Sequence, residues 1–176
     1  MKTRAYISVG SNVEPVRHIE GAMRALVSRY GRVRASRTYQ TPAAGFEGED
    51  FLNLVLGIET DEPIADVMAF LREVETAEGR VRGGPRFAPR TLDLDLLTYG
   101  DTVSAQPGPV LPRADILEYN FVLGPLAELA GAETHPAVGR TYAELWAAMQ
   151  AVTSPLREYP LQLDGADCIA PGGQHV

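Results

Sequence analysis

The sequence predicts an α+β fold in βαββαβ order, the ferredoxin-like arrangement with helices on one face of an antiparallel sheet, followed by a C-terminal extension. Two observations predict it. Strand-like segments rich in Val, Ile, Thr and Tyr, or alternating with period two, recur through the first 100 residues, and two stretches between them repeat apolar residues at helical spacing. The order of those segments then selects the topology, because consecutive elements tend to pack as neighbours.

The elements follow in turn. RAYISV, Arg4 to Val9, reads as a strand and GSNVEP breaks it. Ile19, Ala22, Met23, Leu26, Val27 and Tyr30 recur every three or four residues, which predicts an amphipathic helix. Its start has two candidates: Ser11 and Glu14 fit a capping box, while Pro15 suits the first helical position. After Gly31, RVRASRTYQT reads as one strand and FLNLVLGIET, residues 51–60, as the next, joined by PAAGFEGED, which is too long for a tight hairpin. Ile64, Val67, Met68, Leu71 and Val74 set a second amphipathic helix that Gly79 ends, and TLDLDLLTYG is the last core strand. NFVLGPLAELA and RTYAELWAAMQ read as helical, the first interrupted by Gly124 and Pro125. The division expected is one domain over residues 1–151 and a weakly ordered tail over 152–176.

Composition narrows the function. The 176 residues are 45% hydrophobic and 22% charged, an ordinary globular balance, and no apolar run has the length of a membrane span. The start MKTRAYISVG lacks a signal peptide's apolar region, so a cytoplasmic protein is expected. A single cysteine, Cys168, excludes an internal disulfide, and His18, His135 and His175 are too scattered for a zinc motif. The net charge of −7 argues against nonspecific nucleic-acid binding, which needs a positive field.

Against that acidic background, RVRGGPRFAPRT gathers Arg80, Arg82, Arg86 and Arg90 without one acidic residue, and Asp93 and Asp95 follow directly. On a strand, Leu92, Leu94 and Leu96 point one way and Asp93, Asp95 and Leu97 the other. A solvated strand face can carry acidic residues for no further reason. Asp is nevertheless a poor strand former, and two neighbouring carboxylates repel each other, so the pair calls for some compensating interaction, with water, cations or a metal. Hard oxygen ligands suit Mg²⁺, which takes one or two carboxylates and completes its shell with water and phosphate; arginines bind phosphate oxygens in the same chemistry. No GxxxxGK[ST] loop is present, so side chains would have to hold the phosphates.

The run from Arg86 to Leu97, RFAPRTLDLDLL, resembles the signature of the 6-hydroxymethyl-7,8-dihydropterin pyrophosphokinase family. AYISVGSN, YQTPAAGFEGEDFLNLVL and LPRADILEYNFVLGPLAELA resemble other segments of that family in the same order, so the likeness covers about residues 5 to 130. It implies transfer of the β,γ-pyrophosphate of ATP to the hydroxymethyl group of a reduced pterin, with release of AMP, in folate biosynthesis. By resemblance Asp93 and Asp95 hold two Mg²⁺ ions, Asp93 also faces the substrate, and Arg80, Arg82 and Arg90 bind ATP phosphates as their loop closes over the site. Leu96 and Arg113 join the ATP site. Asn53 hydrogen-bonds the pterin, Thr41 and Pro42 shape its pocket, and Phe51 and Phe121 flank its ring, although core packing is the ordinary role of such aromatics. A monomer is expected from the same likeness.

The chain departs from the family pattern at Arg113, where a histidine is usual, at Ala114, often aromatic, at Tyr119 in place of an arginine, and at Phe87 and Ala88 in place of Trp and Gly. Two other functions therefore stay open: a divergent relative with another pterin or little activity, and an RNA-binding module using an open sheet face.

Overall fold

The strand predicted over Arg4–Val9 runs further, from Thr3 to Ser11, and as β1 it lies between two antiparallel neighbours, β4 (Phe51–Thr60) and β5 (Asp93–Tyr99). The structure is a computed structural model that describes residues 1–43, 48–79 and 91–168. Arg80, Arg82, Arg86 and Arg90, on which the phosphate assignment partly rests, lie outside the described residues.

Helix α1 (Pro15–Tyr30) starts at Pro15, whose fixed φ suits the first helical position. The alternative capping box does not form: Ser11 is still part of β1, its hydroxyl donates to the Thr91 carbonyl, and Glu14 takes up left-handed backbone before the proline. Helix α2 (Ile64–Ala77) ends before Gly79, whose φ of 89° needs a residue without a side chain.

The strand expected over RVRASRTYQT is two, β2 (Val33–Ala35) and β3 (Thr38–Thr41), both antiparallel to β4. Ser36 interrupts them. Its backbone N–H donates to the Val55 carbonyl at 3.0 Å and its hydroxyl accepts the Val55 N–H at 2.9 Å, so a side chain stands in for one rung of the ladder.

One face of the sheet carries Ile7, Val9, Leu54, Leu56, Leu94 and Leu96, packed with Ile19, Met23 and Leu26 of α1 and Val67, Leu71 and Val74 of α2. The opposite face, expected to be open, is covered in part. Helices α3 (Asp115–Glu118), α4 (Asn120–Ala130) and α5 (Tyr142–Gln150) follow β5, and Val122, Leu123 and Leu126 pack on Tyr6, Val55 and Leu97. The reason is apolar area: fully burying a leucine contributes about 1.5–3 kcal/mol, and these sheet residues would otherwise face water. Helix α5 opens on a complete capping box between Thr141 and Glu144.

Within the stretch expected as a weakly ordered tail, residues 157–159 and 166–168 form strands. Strand β6 (Arg157–Tyr159) pairs antiparallel with β3, and β7 (Ala166–Cys168) pairs with β2. The β2–β7 pair is parallel, so the sheet is not purely antiparallel; its path is β5-β1-β4-β2-β7, with β3 beside β4 and β6 beside β3. Both additions cover strand edges whose backbone groups would otherwise lack partners. Among the described residues no helix is long and apolar enough to cross a membrane.

Candidate active site

The register of three strands builds the centre of the site. Gly10 of β1 pairs with Asn53 of β4 on one side and Asp93 of β5 on the other, so the three residues form a row across the sheet. Opposite residues in adjacent strands share a face, which sets Asn53 and Asp93 roughly 10 Å apart, two strand spacings, over a glycine that leaves the space between them clear. A Cβ at Gly10 would lie 3.4 Å from the Asn53 Oδ1. Ser8 and Asp95 form the neighbouring row, two residues along both strands. Asp93 and Asp95 thus share one face, opposite Leu94 and Leu96, as the alternation predicts.

This face opens into a cleft of about 960 Å³ between the sheet, the start of α4 and the strand β6 region. Thr41, Pro42, Phe51, Asn53, Asp93, Asp95, Arg113 and Phe121 all line it. Asn53 is buried and its amide Nδ2 donates to Thr41 Oγ1 at 2.8 Å, which locks the side chain and leaves its Oδ1 toward the space above Gly10. The Phe121 ring stacks on Tyr119 with centroids 5.1 Å apart and planes 25° from parallel, a flat aromatic wall for the cleft. Leu96 is placed otherwise: its side chain is buried in the core against α1 and α2, and it is not among the cleft-lining residues.

Two carboxylates meet one guanidinium at the acidic end. The Arg113 backbone N–H donates to the Leu97 carbonyl at 2.8 Å, which brings the residue alongside β5. Its side chain lies 3.8 Å from Asp95 through Nη1 and 3.2 Å from Asp115 through Nε. Burial pushes the Asp95 carboxyl above the usual carboxylate range; Arg113 pulls it back, and Asp93, Asp115 and Glu75 push it up further. Such a set favours an added cation. Among the described residues no three His, Cys, Asp or Glu side chains converge as a ready cage for a metal. Asp93 and Asp95 therefore fit a hard cation that takes its remaining ligands from water and phosphate, the habit of Mg²⁺.

The structure adds residues that sequence reasoning missed. Glu75 of α2 is buried, and its Oε1 accepts the Leu94 N–H at 2.9 Å, between the two aspartates. Because β5 is an outer strand of the sheet, this bond supplies a partner its backbone would otherwise lack. A signal existed, since Glu75 lies four residues after Leu71 on the apolar stripe of its helix. Asp50, Gln40, Ser154, Leu156 and Arg157 also line the cleft, the last three from the stretch expected to be a tail.

The fold and site thus define an α+β protein in which one cleft is lined by neighbouring carboxylates and by a stacked aromatic pair. Comparison with known proteins is more specific. Residues 6–131 match the model of the 7,8-dihydro-6-hydroxymethylpterin-pyrophosphokinase family, and the chain belongs to that family. It is 38% identical over 132 residues to the 2-amino-4-hydroxy-6-hydroxymethyldihydropteridine pyrophosphokinase of Methylorubrum extorquens, covering 73% of this chain and 83% of that one. The enzyme of the same name from Pseudomonas aeruginosa is 35% identical over 152 residues, covering 84% and 93%. Among solved structures, wild-type Plasmodium falciparum HPPK-DHPS superposes with a TM-score of 0.67 at 11% identity, over 86% of this chain; the chain spans 45% of that longer protein. A second P. falciparum HPPK-DHPS structure, the A437G variant with SDX-DHP, gives a TM-score of 0.69 at 12% identity, over 86% of this chain and 46% of the other.

Proposed function

We propose that this chain transfers pyrophosphate from ATP to 6-hydroxymethyl-7,8-dihydropterin and releases AMP, a step of folate biosynthesis, in the cytoplasm and as a monomer. The observation that carries the reading is the row Asp93–Gly10–Asn53: within a chain of this family, it sets a carboxylate and a locked amide on one cleft floor, with a glycine between them. The strand order β5-β1-β4-β2 with α1 and α2 on one face supports a ferredoxin-like βαββαβ core beneath it.

Asn53 and Thr41 would hydrogen-bond the edge of the pterin, and Phe121 and Phe51 would flank its ring, so that its hydroxymethyl group points along the floor toward Asp93. Asp93 and Asp95 would hold Mg²⁺, two ions in all, and Glu75 keeps the backbone between them fixed. Bound there, the metal would neutralise phosphate charge and make the alcohol more acidic. Arg113 would bind a phosphate oxygen, with Arg80, Arg82 and Arg90 doing the same from the stretch before β5. The bond formed joins the hydroxymethyl oxygen to the β-phosphorus. The bond broken joins that phosphorus to the oxygen it shares with the α-phosphate; AMP leaves with that oxygen and the alcohol proton passes to solvent. Such a reaction depends chiefly on alignment and charge compensation.

The test is AMP formation from ATP. It should require both Mg²⁺ and 6-hydroxymethyl-7,8-dihydropterin; AMP released without the pterin, or none released with it, would remove this reading. The cover of α4 over part of the second sheet face narrows the open surface on which RNA binding would depend.

A further inference from the structure

We infer that Arg113 is a built-in counter-ion of Asp95, which holds the cation place of the free protein and gives it up when nucleotide phosphate draws the guanidinium away. The inference rests on the reading of Asp93 and Asp95 as metal ligands. Arg113 stands 3.8 Å from Asp95 and 3.2 Å from Asp115, and makes no side-chain hydrogen bond with either. Its Nε is buried without a hydrogen-bond partner. The group is thus close enough to neutralise a carboxylate yet loosely held, and its charge does not titrate in the working range. Both it and the two aspartates line the cleft, so phosphate entering there comes within reach of the guanidinium.

A guanidinium beside Asp95 repels a divalent cation from the same carboxylate. Phosphate offers Arg113 charge-assisted, bidentate hydrogen bonds that the present ion pairs lack. Once Arg113 turns to phosphate, Asp95 is released to a metal. Metal without nucleotide is therefore disfavoured, and the two ligands favour each other's binding, as linkage requires.

The consequence is a pair of opposite effects from one substitution. Binding of Mg²⁺ is measured by calorimetry without nucleotide, and binding of the α,β-methylene analogue of ATP is measured in EDTA, for wild type, Arg113→Ala and Arg157→Ala. Arg157 is the control, an exposed cation of the same cleft. Removing the counter-ion should tighten Mg²⁺ binding about tenfold, the scale of one partly screened charge near a divalent ion, and weaken the metal-free nucleotide by a similar factor. Arg157→Ala should change the metal affinity less than about twofold, since an exposed charge is screened. A merely structural role for Arg113 would weaken both ligands together and overturn the inference, as would an unchanged Mg²⁺ affinity in Arg113→Ala. If Mg²⁺ binds none of the three proteins, with or without the analogue, the metal reading falls and the counter-ion role with it. If Mg²⁺ binds and the pterin-dependent release of AMP holds while Arg113→Ala leaves Mg²⁺ affinity unchanged, only the counter-ion role falls.

Discussion

Asp93 and Asp95 stand on an outer strand whose backbone is fixed at Leu94 by Glu75, so the two carboxylates are set side by side on the cleft wall. Replacing either by alanine should abolish Mg²⁺-dependent AMP formation and leave the thermal midpoint at pH 7 level or higher, because each change deletes a carboxylate that repels its neighbour. Near-normal AMP formation in both variants would remove the metal assignment. Asn53 belongs to the other half of the site. Its alanine variant should weaken pterin binding by about 1–3 kcal/mol, the cost of a lost hydrogen bond with a buried group left unpaired, and change ATP binding much less. Calorimetry with each ligand separately decides this, and equal losses would indicate a disturbed fold.

Two element-scale features make opposing use of small groups. Gly124 lies inside α4, where alanine is intrinsically favoured over glycine by about 1 kcal/mol. A Cβ there would stand 2.9 Å from both the Trp146 ring and the Leu156 side chain, so the sheet-covering helix can approach α5 and the start of β6 only without one. Gly124→Ala should therefore destabilise by about 1–3 kcal/mol, measured by urea denaturation, against the trend of helix propensity. The turn between α4 and α5 depends on buried His135, whose Nδ1 accepts the N–H groups of Ala137 and Val138 at 3.2 Å each. Burial lowers the His135 pKa below its ordinary value. The unfolded chain then binds the proton more readily than the folded one, so stability is complete above about pH 6.5 and falls as the pH drops below it. His135→Asn should flatten that acid-side loss, since an asparagine oxygen can accept the same two N–H groups without titrating. Denaturation midpoints of both proteins from pH 5 to 8 would show it, and parallel curves would remove the role.

On the scale of the whole molecule, the chain after residue 151 closes the structure. Strand β6 covers the edge of β3, Leu156 lies against α4 and α5, and Ser154 accepts a hydrogen bond from Asn120 at 3.1 Å through its carbonyl. These residues also line the cleft, so stability and ligand binding should fail together when they are removed. A chain ending at residue 151 should show a lower thermal midpoint and weaker pterin binding than the full chain. Unchanged values for both would mean that the segment adds nothing to the site.

Alternation and helical spacing by themselves determined the two-helix layer and the direction of Asp93 and Asp95, because those patterns are local and one face of each element had to meet a core. The likeness of RFAPRTLDLDLL and its companion segments also reached the family, since the signature residues stand close together in the chain. NFVLGPLAELA held an unused hint: a helix apolar on nearly every side is one that is buried, and α4 covers part of the face expected to be open. Only the tertiary structure placed Gly10 between Asn53 and Asp93, set Glu75 behind Leu94, aimed Arg113 at Asp95 and seated β6 and β7 on strand edges. Those relations join residues far apart in sequence through register and packing, and no period within one segment records which strand or helix will become its neighbour.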